Sequence, residues 1–135
     1  MAEIIIKTIE APVEAIFKEK RSKFLAFAYP VENEAKVKEK IVFLKKKYHD
    51  ARHHCYAYIL GIDKSAYRMN DDGEPSGTAG RPIHGQLLSK DITNVLVVVV
   101  RYFGGIKLGT GGLRIAYKLA AKEVLENATI IEKMV

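Results

Sequence analysis

The chain has 135 residues, 48% hydrophobic and 28% charged, with a formal net charge of +6. This size and balance describe one soluble domain with one core. No apolar run reaches the roughly 20 residues that cross a bilayer, and the start at Met1-Ala-Glu-Ile lacks the basic segment and apolar stretch of a signal peptide.

Residues 4–9 are rich in isoleucine and predict a strand. Pro12 interrupts it. Residues 13–19 and 23–31 then read as a hairpin around the polar turn Lys20-Arg21-Ser22. In the second of these strands Phe24, Ala26 and Ala28 share one face, and Leu25, Phe27 and Tyr29 the other. Asn33 is placed to cap a helix, in which Val37, Ile41, Leu44 and Tyr48 recur at helical spacing until about Asp50. Lys36, Lys38, Lys40, Lys45, Lys46 and Lys47 crowd this helix. A solvated face is the plain reading and a contact for RNA the sharper one.

Residues 55–60 read as a strand, and 61–80 as loop by composition. Residues 79–89 form a short helix with Pro82 in its first turn. The β-branched run at 95–100 suits a strand covered on both faces. Residues 113–127 are helix formers with Ile115, Leu119, Val124 and Leu125 on one stripe. Residues 129–132 read as a last short strand. The order predicts an α+β two-layer sandwich: one mostly antiparallel sheet with helices packed on one face.

Glycine is concentrated where chemistry is expected. Of the 10 glycines, all but Gly61 lie between Gly73 and Gly112. Glycine weakens regular structure and suits positions of positive φ or close approach. The second glycine-rich loop lies between a buried strand and a helix opening at about Gly112. That order aims backbone N–H groups and the helix dipole at one point. Lys107 and Arg114 add full charges, Arg101 sits at the strand exit, and Thr110 is placed to cap the helix. An anion site and a tight packing turn both remain open. The standard phosphate signatures do not fit. Gly104 and Gly109 have Walker A spacing, but Thr110 stands where lysine is required. Gly109-Thr-Gly111 begins a dinucleotide fingerprint, but Arg114 replaces the third glycine.

The first loop carries Asp71, Asp72 and Glu74 without the alternation of a calcium loop. Turn formation is expected, with Ser76 or Thr78 capping the following helix. A salt bridge from Asp72 or Glu74 to Arg81, Arg101 or Arg114 would lock one loop onto the other. His53 and Cys55 share a strand face, with His54 opposite, so at most two ligands converge locally, too few for zinc. Cys55 cannot form an internal disulfide, which fits a reducing cytoplasm. It lies in an apolar run, where a thiol is inert. No metal, cofactor or catalytic residue is assigned.

Four segments together resemble the IMPACT/YigZ family, its bacterial members most closely: Ala51-Arg-His-His-Cys-Tyr-Ala57, Asp71-Asp-Gly-Glu-Pro-Ser-Gly-Thr-Ala-Gly80, Asn94-Val-Leu-Val-Val-Val-Val-Arg-Tyr-Phe-Gly-Gly105, and Leu108-Gly-Thr-Gly-Gly-Leu113 with Ala116-Tyr117. The resemblance implies a ribosomal protein S5 domain 2-like fold, shared with RNA-binding translation proteins and small-molecule kinases. It implies a role in translational control, which eukaryotic relatives exert by competing for the activator of an initiation-factor kinase. Relatives carry a C-terminal ferredoxin-like domain or an N-terminal RWD domain. Residues 1–135 are expected to form the shared domain alone.

The resulting expectation is a non-enzymatic, cytoplasmic binding module without a membrane partner. Its partner is RNA or a translation-related protein, and a phosphate-containing ligand, bound or processed, is the alternative. Lys107, Thr110, Gly111, Gly112 and Arg114 form the anion-facing group. Asp71, Asp72, Glu74, Arg101 and Tyr102 form an adjoining wall.

Overall fold

The structure is a computed structural model that describes residues 3–135; Met1 and Ala2, where the reading of the N-terminus begins, lie outside them. The elements in chain order are β1 (Ile5–Ile9), β2 (Val13–Glu19), β3 (Ser22–Pro30), α1 (Glu34–Lys47) and β4 (His53–Leu60). They continue with β5 (Ala66–Asn70), α2 (Gly80–Ser89), β6 (Val95–Tyr102), α3 (Gly109–Asn127) and β7 (Ile130–Met134). Five strands form one antiparallel sheet in the order β2-β3-β6-β4-β5, and β1 pairs with β7 in a separate ribbon.

The β-branched run of β6 makes it the central strand. Side chains alternate across a strand, so Val95, Val97 and Val99 enter one core and Leu96, Val98 and Val100 the other. All six are fully buried. The first core is covered by α2 and α3, through Ile83, Leu87, Ala116, Tyr117, Ala120 and Val124. Phe24 meets Tyr117 edge-on there, at 5.1 Å between ring centroids.

The second core is covered by α1, through Val37 and Leu44. The α+β class and the antiparallel sheet are as expected. The placement of helices on one face holds for α2 and α3, whereas α1 crosses the other face. The central strand has apolar side chains on both sides, and each side needs a cover. The hairpin of β2 and β3 and its face assignment also hold: Phe24, Ala26 and Ala28 join the first core, and Leu25, Phe27 and Tyr29 the second. Asn33 caps α1 by accepting the Lys36 N–H at 2.9 Å. The loop expected over 61–80 contains β5, an edge strand paired only with β4.

Candidate functional site

Both glycine-rich loops meet at one end of the sheet, where β4 begins and β6 ends. Arg101 and His53 are directly paired across these strands. Their odd register also places both side chains on the face covered by α2 and α3. There the first loop delivers Glu74 into the core. Its carboxylate accepts two bonds from Arg101 Nη1, at 2.8 and 3.0 Å, and one from the Tyr117 hydroxyl. The Glu74 and Arg101 side chains are only 3% and 6% exposed, so the charges are desolvated and depend on each other. This is the lock between loops that the sequence reading allowed. Ser22 Oγ accepts from Arg101 Nη2 at 3.2 Å and closes the cluster.

His53 and Cys55 extend it. One ring nitrogen of His53 bonds the Asp72 carbonyl at 2.7 Å, so Nδ1–H is the donor. The other, Nε2, lies 3.5 Å from Glu74. The Cys55 sulfur faces the Asp71 carbonyl at 3.1 Å and the Tyr117 hydroxyl at 3.4 Å. Burial pushes both the Cys55 thiol and the Tyr117 hydroxyl well up, so both keep their protons at neutral pH.

The first loop consumes its own donors. Asp71 accepts from Gly77 N at 2.9 Å, from Ala79 N at 3.1 Å and from Gly80 N at 2.8 Å. It thereby caps α2 from nine residues upstream. Ser76 and Thr78, the expected caps, do not serve: the Thr78 hydroxyl turns back to the Pro75 carbonyl. Asp72 accepts the His54 N–H at 2.7 Å and ties the loop to β4.

The second loop does the reverse. The helix begins at Gly109, earlier than expected, and among the described residues no side chain caps it. Leu108, the residue before, is already helical at φ −90°, whereas a capping residue needs extended backbone. Thr110 therefore lies inside the first turn, exposed, and caps nothing. No acidic residue occupies that turn. Gly104 is required by close approach: a Cβ there would sit 2.0 Å from the Arg21 carbonyl oxygen. Gly109 has a φ of +73°, where side chains are strained.

Between the loops lies a cleft of about 350 Å³. Phe103, Leu108, Leu113 and Pro75 give it apolar walls, Glu74, His53 and Arg101 line it, and Arg52, Lys107 and Thr110 join them. Of the expected site residues, Lys107, Thr110, Glu74 and Arg101 come together here. Gly111 is exposed in the first turn, and Gly112 packs against Leu108. Arg114 does not join. It lines a second cleft of about 340 Å³ with Met69, Asp71, Ser76, Gly77 and Arg81. Tyr102 also stands apart, because successive strand residues face opposite ways. It belongs to the α1 side and donates its hydroxyl to Asp50 at 2.8 Å. Sequence reasoning missed Arg52, Pro75, Phe103, Leu108 and Leu113 as cleft residues; Arg52 and Phe103 flank the two paired strand ends, which is the signal that marks them.

A separate basic surface is α1, where Lys36, Lys38, Lys45, Lys46 and Lys47 are exposed around Phe43. Lys47 Nζ lies 5.8 Å from the Phe43 ring centroid.

The fold and the two loops define a small α+β domain built around a glycine-rich strand-to-helix junction, without a standard nucleotide signature. The chain belongs to the Impact N-terminal domain family, whose profile matches residues 20–125. It is 41% identical to the IMPACT family member YvyE of Bacillus subtilis, over 84% of this chain and 52% of that protein. It is 38% identical to YigZ of Escherichia coli, over 91% of this chain and 61% of that protein. The chain thus spans about half to three fifths of these relatives. A crystal structure described as that of a hypothetical protein matches with a TM-score of 0.93 at 36% identity, over 98% of this chain and 65% of the other. The two-domain translational regulator Yih1 matches with a TM-score of 0.50 at 26% identity, over 90% of this chain and 47% of the other.

Proposed function

We propose that this domain is a non-enzymatic binding module working in translation or its regulation, and that it takes RNA on the Gly104–Arg114 surface. One observation carries the reading. The first turn of α3 has no side-chain cap and no acid, and Lys107 lies beside it. Unsatisfied N–H groups and a helix dipole next to a free cation favour a phosphate. The net charge of +6 adds long-range attraction for a polyanion. The similarity to a translational regulator supports the setting. The single cysteine, buried and protonated, suits a reducing cytoplasm. Among the described residues no helix is long and apolar enough to cross a membrane.

The test is binding of labelled RNA at several salt concentrations. Affinity should fall as salt rises, because each phosphate contact releases counterions. Lys107→Ala should leave the melting temperature unchanged and lower the salt slope by about 1. Absence of any RNA binding at low salt overturns the RNA reading. Millimolar pyrophosphate that raises the melting temperature without competing for RNA would favour the alternative of a small phosphate ligand, held in the cleft by Lys107 and Arg52.

A further inference from the structure

The cleft beside α3 is more apolar than a phosphate needs. Phe103 is half-buried in its wall, and two guanidinium groups lie near the ring, Arg52 at 5.2 Å and Arg101 at 5.5 Å from its centroid. Arg101 is fixed, bonded to Glu74 and Ser22. Arg52 is exposed and pairs with no carboxylate among the described residues, so it is free to shift aside or onto a ligand. An aromatic ring, two leucines and a proline form a surface for a flat, weakly polar group. Free cations at Arg52 and Lys107 complement a negative charge attached to it. A nucleobase with its phosphate has both parts.

The second cleft supplies the neighbouring contact. Arg81 and Arg114 line it together, and neither has an ion-pair partner among the described residues. Asp71 lines it too, but its carboxylate already accepts three backbone N–H bonds. Glu74 and Pro75 border the first cleft and Ser76 and Gly77 the second. The three residue steps from Glu74 to Gly77 span at most about 11 Å even if fully extended. The two clefts are therefore neighbours across one short ridge.

We propose that the Phe103 cleft seats one unpaired base and that Arg81 and Arg114 hold a backbone phosphate adjacent to it. This rests on the RNA reading above and deepens it: the domain selects single strands. In a duplex the bases are stacked and paired, and none can enter the cleft without being extruded. Stacking on an aromatic side chain accepts any base, so the sequence preference is weak.

The chain has no tryptophan, so Phe103→Trp introduces a single fluorescent reporter at the seat. Titration with a 10-nucleotide single-stranded RNA should quench it, and the same sequence as a duplex should bind more weakly and quench little. In anisotropy measurements on the otherwise unaltered chain, Phe103→Leu should weaken single-strand binding about tenfold, the scale of one base stack, with little effect on the duplex. Arg81→Ala with Arg114→Ala should reduce the salt slope by about 1, because the pair neutralises one phosphate. Melting curves of each variant separate lost binding from lost folding. Should the variants fold and bind RNA, but with equal affinity for single strand and duplex and no loss from Phe103→Leu, the seat is wrong and the RNA reading stands. Should no RNA bind while a free mononucleotide quenches the reporter, the cleft serves a small ligand and the RNA reading falls with the strand selectivity. A protein partner that displaces nothing from the cleft and leaves the reporter unquenched, with RNA inert, overturns both.

Discussion

The two glycine-rich loops are alike in composition and opposite in chemistry. The loop at 71–80 satisfies itself: one carboxylate, Asp71, takes up three N–H groups, Asp72 takes a fourth, and Glu74 is sealed under Arg101 and Tyr117. The loop at 103–112 leaves the first turn of α3 uncapped and puts Lys107 at its surface. The difference lies in the acids. Three carboxylates in the first loop supply internal acceptors, whereas the second has none and keeps its donors free. Glycine content alone says that the backbone is unusual; the neighbouring acids decide whether its polar groups face inward or outward.

If the first loop is a scaffold, breaking it should cost stability. Glu74→Gln carries the largest expected effect. It leaves the Arg101 charge buried without a counter-charge, a loss on the order of 3–5 kcal/mol, read from chemical denaturation. A change under 1 kcal/mol would mean that Arg101 finds water or another partner, and the scaffold reading would fail. Asp71→Ala comes next. It orphans three donors, two at the α2 start and Gly77 N in the loop before it, and about 2 kcal/mol is expected. Asp71→Asn should recover part of it, since one acceptor oxygen survives.

The opposite result is expected in the open loop. A Cβ on Gly111 meets nothing within 4 Å, and its φ lies outside the positive range. Gly111→Ala should therefore be neutral or stabilising by up to about 1 kcal/mol, because glycine is the weaker helix former. If a phosphate approaches this backbone closely, the same variant should weaken RNA binding while the melting temperature holds or rises. A fall in stability instead would place this glycine with the scaffold and blur the distinction between the loops.

Much of the fold was legible because it follows local rules. The β-branched run of β6, the alternation in β3 and the Asn33 cap need only near neighbours. The side of the sheet that α1 covers was not, because an amphipathic helix fits either face of a sheet whose central strand is apolar on both. The Asp71 cap was missed for a similar reason: a hydroxyl two or four residues before the helix is the local choice, and the actual acceptor arrives only through the turn that follows β5. β5 is not legible in the sequence because an exposed edge strand lacks an apolar stripe. The β-branched run stops at Val100, so the sequence does not separate Tyr102 from Arg101; β6 runs two residues further and puts their side chains on opposite faces.

That displacement makes Tyr102 a probe of how the open loop is anchored. It is the last residue of β6 before the loop, and its hydroxyl donates to Asp50 on the far side of the sheet from the cleft. Burial, then the bond to Asp50, push its pKa up to about 12. An unfolded tyrosine ionises near about pH 10. The folded chain thus keeps a proton that the unfolded chain loses, and stability should fall as pH rises from about 10 to about 12. Tyr102→Phe removes this titration. Other tyrosines, Tyr29, Tyr58 and Tyr117, are also pushed up by burial, so the informative quantity is the difference between wild type and variant. That difference should be constant below about pH 10 and shrink above it. A difference that stays constant through about pH 12 would show that the hydroxyl does not need its proton, and that the strand entering the open loop is held by packing alone.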